Sequence, residues 1–488
     1  MTVPSAHSTA NGARVGPRTP RRSPRRYLLA SSVTWAETDA TSRPGTPRRS
    51  LVRSVPGGLL VLALGYGCFA QGGFYGSQFR LLLVLIALSL ATAMALSPPK
   101  LRDLLCPPIV APLLLCAWSA ISAAHAHHPK GALPTIGLMG ALAAVVLIVR
   151  RSDPLTRQQL GVGILLAGVG VAATGWFGVV ARSGPSGVDD LGLWRAASTI
   201  TYTNGTAALL APLALVSLAR VVEEPAARLM SPVTYALLLG LGATLSRAGL
   251  LGFVFGVFVL IARCGPRRLL AATWPPVVGS LVAFAGMVPS FPARLSPRPW
   301  IAVAAAIVGA AVSLAPAWPA LRRRVVVRLL VVLAVALSAL GLAIQERSDL
   351  TPRLSATSED RSDEWRATFD LVRQHPVWGT GPGHFRLEYV DHDGREAIAE
   401  FTHNELLQAW AELGSVGLII IVGGLAMTAR AVVWQPRAKI ERWLWAGAPA
   451  ALLALVINSS LDYVWHIPVI PVAGAIITGL AVSSWDAG

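Results

Sequence analysis

Apolar residues recur along this chain of 488 residues in blocks that short polar segments separate. Many blocks are about 18 to 22 residues long, which is the length that a helix needs to cross a bilayer. Because some blocks are short or contain proline, the pattern predicts an all-α polytopic integral membrane protein with 12–14 transmembrane helices. The fourteen candidate spans are residues 57–72, 79–97, 104–124, 131–149, 160–181, 199–219, 229–245, 248–262, 270–290, 300–320, 325–345, 411–432, 445–461 and 467–485.

The composition agrees with this pattern. Hydrophobic residues make up 53% of the chain and charged residues only 14%, whereas soluble domains carry about 25% charge. The net charge of +17 and the pI near 10.9 would suit a nucleic-acid-binding protein, but such a protein needs a soluble basic face. We therefore predict the lipid bilayer, and no nucleic acid, as the surroundings of this chain.

The positive charge follows the loops. With the N-terminus placed inside, the inner segments hold 28 Lys/Arg and 8 acids, and the outer segments hold 14 Lys/Arg and 17 acids. The two sides carry +20 and −3, which together give +17. This bias predicts a cytoplasmic N-terminus. Residues 1–56 contain ten Arg and two acids without an apolar period, so they are interpreted as a disordered basic cytoplasmic tail before a membrane domain at 57–488.

One outer segment, residues 346–410, is much longer than the other loops. It lies between the eleventh and twelfth candidate spans and contains 13 acids and 7 Arg. Loops of this length are usually functional. Trp365, Phe369 and Val372 recur at helical spacing, and this helix should stop at His375 because Pro376 follows.

The end of this loop carries the first candidate for chemistry. Thr402-His403-Asn404-Glu405 is interpreted as a capping box, which would place His403 and Asn404 in the first turn of a helix. The free N–H groups of such a turn bind phosphate and favour a neutral histidine that can act as a base. The alternative is an interfacial histidine with an asparagine that completes the cap.

Three arginines on the predicted outer side form a second candidate. Arg247 lies in a tight turn between two apolar blocks, and Arg361 and Arg366 lie on the charged side of the loop helix. Guanidinium forks suit diphosphates. The alternative is that each arginine only extends toward lipid headgroups.

A third candidate lies between the last two spans. Asp462 precedes His466 by four residues and could orient it or hold an acceptor sugar, although an aromatic belt with polar tips fits equally well. Asn204, at the mouth of an earlier span, is assigned a capping or substrate-facing role. The histidines at 125, 127 and 128 lack acidic or cysteine partners, so no metal site is predicted.

These residues together resemble the O-antigen ligase and polymerase-related family of bacterial envelope glycosyltransferases. The family signature of His, then Asn, Ser or Gln, nine residues, Gly, two residues and Gly is met by His403, Asn404, Gly414 and Gly417. Weaker similarities are Arg361-x3-Trp365, the segment 375–385, Ser246-Arg247 (with Ala248 where the family has Gly), Asp462-x3-His466 and Asn204.

The resemblance implies transfer of a glycan from an undecaprenyl-diphosphate-linked donor to an acceptor hydroxyl at the outer face of the bacterial plasma membrane. It implies an inverting reaction without metal or other cofactor. His403 would be the base, and Arg247 and Arg361 (or Arg366) would stabilise the diphosphate. Asn404, Asn204, Asp462 and His466 would bind substrate, the last two on the acceptor side.

Two questions stay open at this stage. A transporter or flippase of a lipid-linked glycan would also be a polytopic protein with polar groups, although transporters place them near the midplane and often contain inverted repeats. No obvious repeat occurs here, and the polar residues lie at the edge beside a large loop, which favours surface chemistry. The acceptor (lipid, growing glycan or protein) is also open.

Overall fold

The computed structural model describes residues 47–224, 230–315, 359–390, 394–436 and 440–482. Helices dominate these ranges. They are α1 (Pro47–Phe69), α2 (Gly76–Leu96), α3 (Leu101–Leu104), α4 (Pro107–His125), α5 (Ala132–Arg151), α6 (Pro154–Val180), α7 (Thr203–Glu223), α8 (Met230–Ala243), α9 (Arg247–Cys264), α10 (Pro266–Met287), α11 (Pro299–Ser313), α12 (Glu359–Gln374), α13 (Glu405–Val433), α14 (Arg442–Ser459) and α15 (Val469–Val482).

Thirteen of the fourteen apolar blocks correspond to helices, and the block at 325–345 lies outside the described residues. In the described part of the chain, eight helices are long and apolar enough to cross a membrane: α2, α4, α5, α6, α7, α9, α10 and α13. Four shorter apolar helices accompany them, within α1 and at α8, α11 and α15. The protein is therefore a mostly helical multi-span membrane protein. Helix α1 begins at Pro47, ten residues before the predicted first apolar block, and the preceding part of the predicted tail lies outside the described residues.

Two loops contain short strands that the all-α prediction did not include. Strands β1 (Gly187–Asp190) and β2 (Leu193–Ala196) form one antiparallel hairpin, and β3 (Leu387–Val390) and β4 (Glu396–Ala399) form another. In the first hairpin Leu191 and Gly192 both have positive φ, 52° and 77°, as a two-residue type I′ turn requires. A leucine at such a position is an unusual turn residue, so the local sequence does not indicate a hairpin.

Helix α7 is the centre of the bundle. In the apolar stretch of α7, 94% of the residues are buried. In the corresponding stretch of α2, which lies at the periphery, only 17% are buried. The buried side of α7 includes the small residues Gly205, Ala207 and Ala211. Small residues let helices approach closely where no hydrophobic driving force exists between them.

The loop helix α12 has a different buried face from the one that its apolar residues predicted. Glu364, Thr368 and Val372 are buried at 4%, 0% and 4% exposure, whereas Phe369 is 44% exposed. The helix ends at Gln374, immediately before His375, in agreement with the proline signal. The buried face thus carries a carboxylate, and this carboxylate becomes part of the site described below.

Helix α13 is interrupted at Gly414, where φ is +65° and ψ is −173°. The segment 376–381 fills the interruption: the amides of Thr380 and Gly381 donate to the carbonyls of Ala411 and Glu412, each at 2.9 Å. A Cβ at position 414 would lie 2.0 Å from the carbonyl oxygen of Val377. Only glycine combines this positive φ with such a close approach, which explains the glycine that follows the His-Asn pair.

Candidate active site

Helix α13 begins differently from the predicted capping box. Its N-cap is Asn404, whose Oδ1 accepts from the amides of Leu406 (3.1 Å) and Leu407 (3.0 Å). Thr402 does not cap the helix, because its hydroxyl donates to the carbonyl of Asn404 at 2.6 Å. The predicted place of His403 in the first turn was therefore wrong. An asparagine at the cap satisfies the amides of the first turn by itself and leaves His403 outside the helix.

His403 is held by a carboxylate that the sequence analysis did not identify. Its Nδ1 lies 3.0 Å from Oε2 of Glu364, and the Glu364 side chain is only 6% exposed. The other carboxylate oxygen of Glu364 is buried and has no hydrogen-bond partner among the described residues. A neutral His403 that donates from Nδ1 to this carboxylate keeps its Nε2 lone pair for another proton. The backbone φ of His403 is +44°, so this residue adopts the left-handed conformation.

Asp462 joins two other predicted residues beside His403. Asp462 is 1% exposed, its Oδ2 accepts from Nδ2 of Asn204 at 2.5 Å, and the same oxygen lies 3.6 Å from Nη2 of Arg361. Its Oδ1 accepts from the hydroxyl of Tyr202 at 2.7 Å. Burial raises the pKa of Tyr202 well above its usual value, and the charge of Asp462 raises it further, so Tyr202 keeps the proton that it donates. Asp462 therefore positions Arg361 and Asn204.

Arg195 extends this network and was missed by the sequence analysis. It is 7% exposed in strand β2 and donates from Nε to the carbonyl of Thr244 at 2.9 Å and from Nη2 to Oδ1 of Asn204 at 3.2 Å. Its Nη1 lies 2.5 Å from Oδ2 of Asp190. Through Thr244 the network reaches the turn that precedes Arg247, the exposed first residue of α9. Ser246 caps that helix by accepting from the amide of Gly249 at 3.2 Å.

Arg366 is one predicted residue that the structure does not bring into this group. Its side chain is 78% exposed, and its ion pair is with Asp363 on the same helix, at 3.1 Å. Arg361 and Arg366 are five residues apart, so they project from different sides of α12. Of the two alternatives for the loop arginine, the geometry favours Arg361.

His466 belongs to a second group. Its Nδ1 lies 3.4 Å from Oε1 of Glu405, and its Nε2 lies 3.3 Å from Nε2 of Gln408. Its described contacts do not include Asp462, so the expectation that Asp462 orients His466 is not met. Burial lowers the pKa of His466, but the charge and hydrogen bond of Glu405 and the charge of Glu412 outweigh burial and raise it above the usual value.

A stack of aromatic rings separates the two groups. Tyr463 stacks on Tyr202 with ring centroids 5.1 Å apart and on Phe401 with centroids 4.6 Å apart. His403 contacts Tyr463 edge to face at 5.1 Å, and His466 contacts Phe401 in the same manner at 4.8 Å. We call the two groups the His403 side and the His466 side of this aromatic stack.

Comparison with known families places part of the chain. Residues 295–422, about a quarter of the sequence, match the family model described as O-Antigen ligase. The matched segment contains Arg361, Arg366, His403 and Asn404, whereas Asn204, Arg247, Asp462 and His466 lie outside it. No curated protein gives a significant match to the chain. The match confirms the resemblance that the motifs indicated, over residues 295–422.

Proposed function

We propose that this protein transfers a glycan from an undecaprenyl-diphosphate-linked donor to an acceptor hydroxyl, in the manner of an O-antigen ligase or polymerase. The observation that carries the proposal is the His403 side of the aromatic stack. There, a histidine is paired with the buried carboxylate of Glu364, and Arg361, three residues earlier on the same helix, is held by a buried aspartate. The match to the O-antigen ligase family supports glycosyl transfer in general, and the roles below are proposals for this chain.

His403 acts as the general base in this proposal. Glu364 holds Nδ1, so Nε2 accepts the proton of the acceptor hydroxyl as the new glycosidic bond forms. Base assistance of this kind contributes about 10²–10⁴-fold to a rate. The carboxylate of Glu364 also stabilises the imidazolium that results from the proton transfer.

Arg361 stabilises the leaving group. Breakage of the donor bond leaves negative charge on undecaprenyl diphosphate, and a preorganised cation lowers the energy of that charge in the transition state. Arg361 is preorganised by Asp462 and by the carbonyl of Leu461, to which its Nη1 donates at 3.0 Å. Arg247, exposed at the start of α9, supplies a second guanidinium. A donor that is already activated needs no nucleotide and no metal, and attack opposite the leaving group inverts the anomeric centre.

The proposed orientation follows the charge of the loops. The protein lies in the bacterial plasma membrane with 12–14 spans, a cytoplasmic tail at 1–56, and the segment 346–410 outside between the eleventh and twelfth spans. A cysteine introduced at Glu388, an exposed residue of β3, should react in intact cells with an impermeant thiol reagent. A cysteine at Arg267, in a predicted inner loop, should react only after lysis. The reverse pattern would contradict this orientation.

The decisive experiment is glycan transfer by the purified protein in lipid nanodiscs. The protein is incubated with an undecaprenyl-diphosphate glycan and with lipid, glycan or protein acceptors. A polymer ladder identifies a polymerase, and a single mass increase on one acceptor identifies a ligase or a protein glycosyltransferase. Arg373→Gln is the matched control, because Arg373 is exposed at the far end of α12. In proteoliposomes, movement of the donor across the bilayer without any product would overturn the proposal in favour of a flippase.

A further inference from the structure

A cavity of about 480 Å³ opens on the His466 side of the aromatic stack. One wall is polar and consists of Glu405, Gln408, Glu412 and His466. The remaining walls include the rings of Phe74, Phe79, Phe385, Phe401 and Trp465. The volume is within the range of about 300–1,000 Å³ that small-molecule sites occupy.

The polar wall is held in place by its own hydrogen bonds. Oε1 of Glu405 accepts from the amide of Trp465. Nε2 of Gln408 donates to Oε1 of Glu412 at 3.2 Å, and Oε1 of Gln408 accepts from the amide of Thr402 at 3.2 Å. These side chains therefore have fixed directions before any ligand arrives, which reduces the entropy that binding costs.

This combination of walls fits a sugar ring. A pyranose has two faces of C–H groups and a rim of hydroxyls. Aromatic rings pack against such faces, while carboxylates accept and amides both donate to and accept from hydroxyls. The cavity supplies both kinds of surface within one volume, and four of its polar side chains lie together along one wall.

The charge of the lining disfavours a diphosphate and other acidic groups. Glu400, Glu405 and Glu412 line the cavity, against Arg386 and His466. Arg386 is 63% exposed and lies 3.7 Å from the carboxylate of Glu388, so it contributes little positive potential inside. The donor diphosphate belongs on the His403 side, where Arg361 lies. An uncharged sugar ring suits this cavity. Of the two substrates, the acceptor is the one whose reacting sugar carries no diphosphate.

We propose that this cavity binds one uncharged pyranose unit of the acceptor glycan. The assignment of this sugar to the acceptor rests on the proposed function, whereas the binding of a sugar does not. Phe401 lines the cavity and stacks on Tyr463, and Tyr463 contacts His403. Two rings, those of Phe401 and Tyr463, therefore lie between a sugar in the cavity and the imidazole of His403. A glycan held there presents the hydroxyl of its neighbouring unit to His403.

Saccharide binding tests the cavity without any transfer assay. Methyl α-D-glucopyranoside, methyl N-acetyl-β-D-glucosaminide and methyl β-D-glucuronide are titrated against the full-length protein in detergent micelles, with saturation-transfer NMR as the readout. We expect millimolar binding of the two neutral glycosides and at least tenfold weaker binding of the glucuronide. Absent neutral binding, or a glucuronide that binds as well as the glucoside, would overturn the proposal.

Two cavity-filling variants assign this binding to the cavity. Ala409→Trp on α13 and Thr135→Trp on α5 obstruct it from different walls and should each weaken neutral binding at least tenfold. Ala426→Trp is the matched control, because Ala426 lies on α13 and lines the adjoining apolar cavity but not this one. Size-exclusion profiles and thermal unfolding show whether each variant is folded. Unchanged saccharide binding in a folded filling variant would place the sugar elsewhere and contradict the proposal.

Transfer kinetics then separate acceptor from donor. In the folded filling variants we expect the KM for the acceptor glycan to rise at least tenfold while the KM for the lipid-linked donor changes less than twofold. A rise confined to the donor KM would overturn the acceptor assignment. If the wild-type protein binds neutral glycosides but transfers no glycan, the sugar site stands and the proposed function fails, so the two failures are distinguishable.

Discussion

The two sides of the aromatic stack use the same pair of residue types in different ways. On each side a histidine contacts a buried glutamate and the edge of an aromatic ring. On the His403 side, the neighbouring charged groups are Arg361 and Asp462, and the arginine is held by the aspartate. On the His466 side, the neighbouring groups are Gln408 and Glu412, and a cavity adjoins them.

The difference shows how surroundings assign roles to identical groups. The guanidinium on the His403 side can stabilise an anion. A base on this side would therefore act near the negative charge that develops on the leaving diphosphate. The acidic surroundings of His466 raise its pKa above the usual value, and its Nδ1 faces the carboxylate of Glu405, so this histidine is a hydrogen-bond donor on that side. We therefore expect chemistry on the His403 side and recognition on the His466 side.

Substitution of each histidine is the most direct test of this difference between the two sides. His403→Gln should reduce the rate of glycan transfer by about 10²–10⁴-fold, because it removes the proposed base. His466→Gln should reduce transfer at saturating acceptor by less than about tenfold, because a glutamine still forms hydrogen bonds there. Both rates are measured with purified protein at matched concentration in nanodiscs. Equal losses in the two variants would remove the distinction between chemistry and recognition.

The two loop arginines test the cationic character of the His403 side. Arg361→Gln should slow transfer by about 10²–10³-fold, the effect of removing one preorganised group that stabilises developing charge. Arg366→Gln, on the same helix but exposed and paired with Asp363, should leave the rate within about twofold of wild type, as surface pairs contribute little. The measurement is kcat with the lipid-linked donor. A larger loss in Arg366→Gln than in Arg361→Gln would reverse our assignment.

The sequence was most informative where local patterns decide the structure. The apolar blocks located thirteen helices, because the bilayer requires a helix of a certain length and the sequence shows this length as a run of apolar residues. The spacing from His403 to Gly414 marked a real feature, the interruption of α13. The His-Asn pair also marked a helix start correctly within one residue, although the cap was Asn404 rather than Thr402.

The sequence was least informative where a contact joins distant segments. Arg361 and Asp462 are about a hundred residues apart, and no periodicity connects them. Arg195 lies in a hairpin whose turn begins with an untypical leucine, so the sequence did not indicate its network with Asn204 and Thr244. One signal was available for Glu364: Glu364, Thr368 and Val372 recur every four residues on α12, so the carboxylate lies on a stripe that ends in an apolar residue.

The two glutamates that contact the histidines provide a finer test. Glu364→Gln should lower kcat by roughly 10–100-fold, the cost typical of losing a carboxylate that orients a histidine, with the donor KM unchanged. Glu364→Asp should recover part of this loss, because it keeps the charge. Glu405→Gln should instead raise the acceptor KM, because Glu405 lines the cavity. Loss of kcat in Glu405→Gln with no change in KM would contradict the division of roles.

The smallest expected effect concerns stability and pH on the His466 side. Glu405 and Glu412 raise the pKa of His466 in the folded protein, so protonated His466 stabilises the fold. This stabilisation is fully present below the unfolded pKa of about 6.5 and is lost as the pH rises through the higher folded pKa. The thermal unfolding midpoint of His466→Gln, measured in detergent micelles from pH 5 to pH 9, should therefore lie furthest below that of the wild type at the acidic end and converge with it at the alkaline end. A gap that widens with increasing pH would show that His466 is held in its neutral form, and Glu405 and Glu412 would then not stabilise its charge.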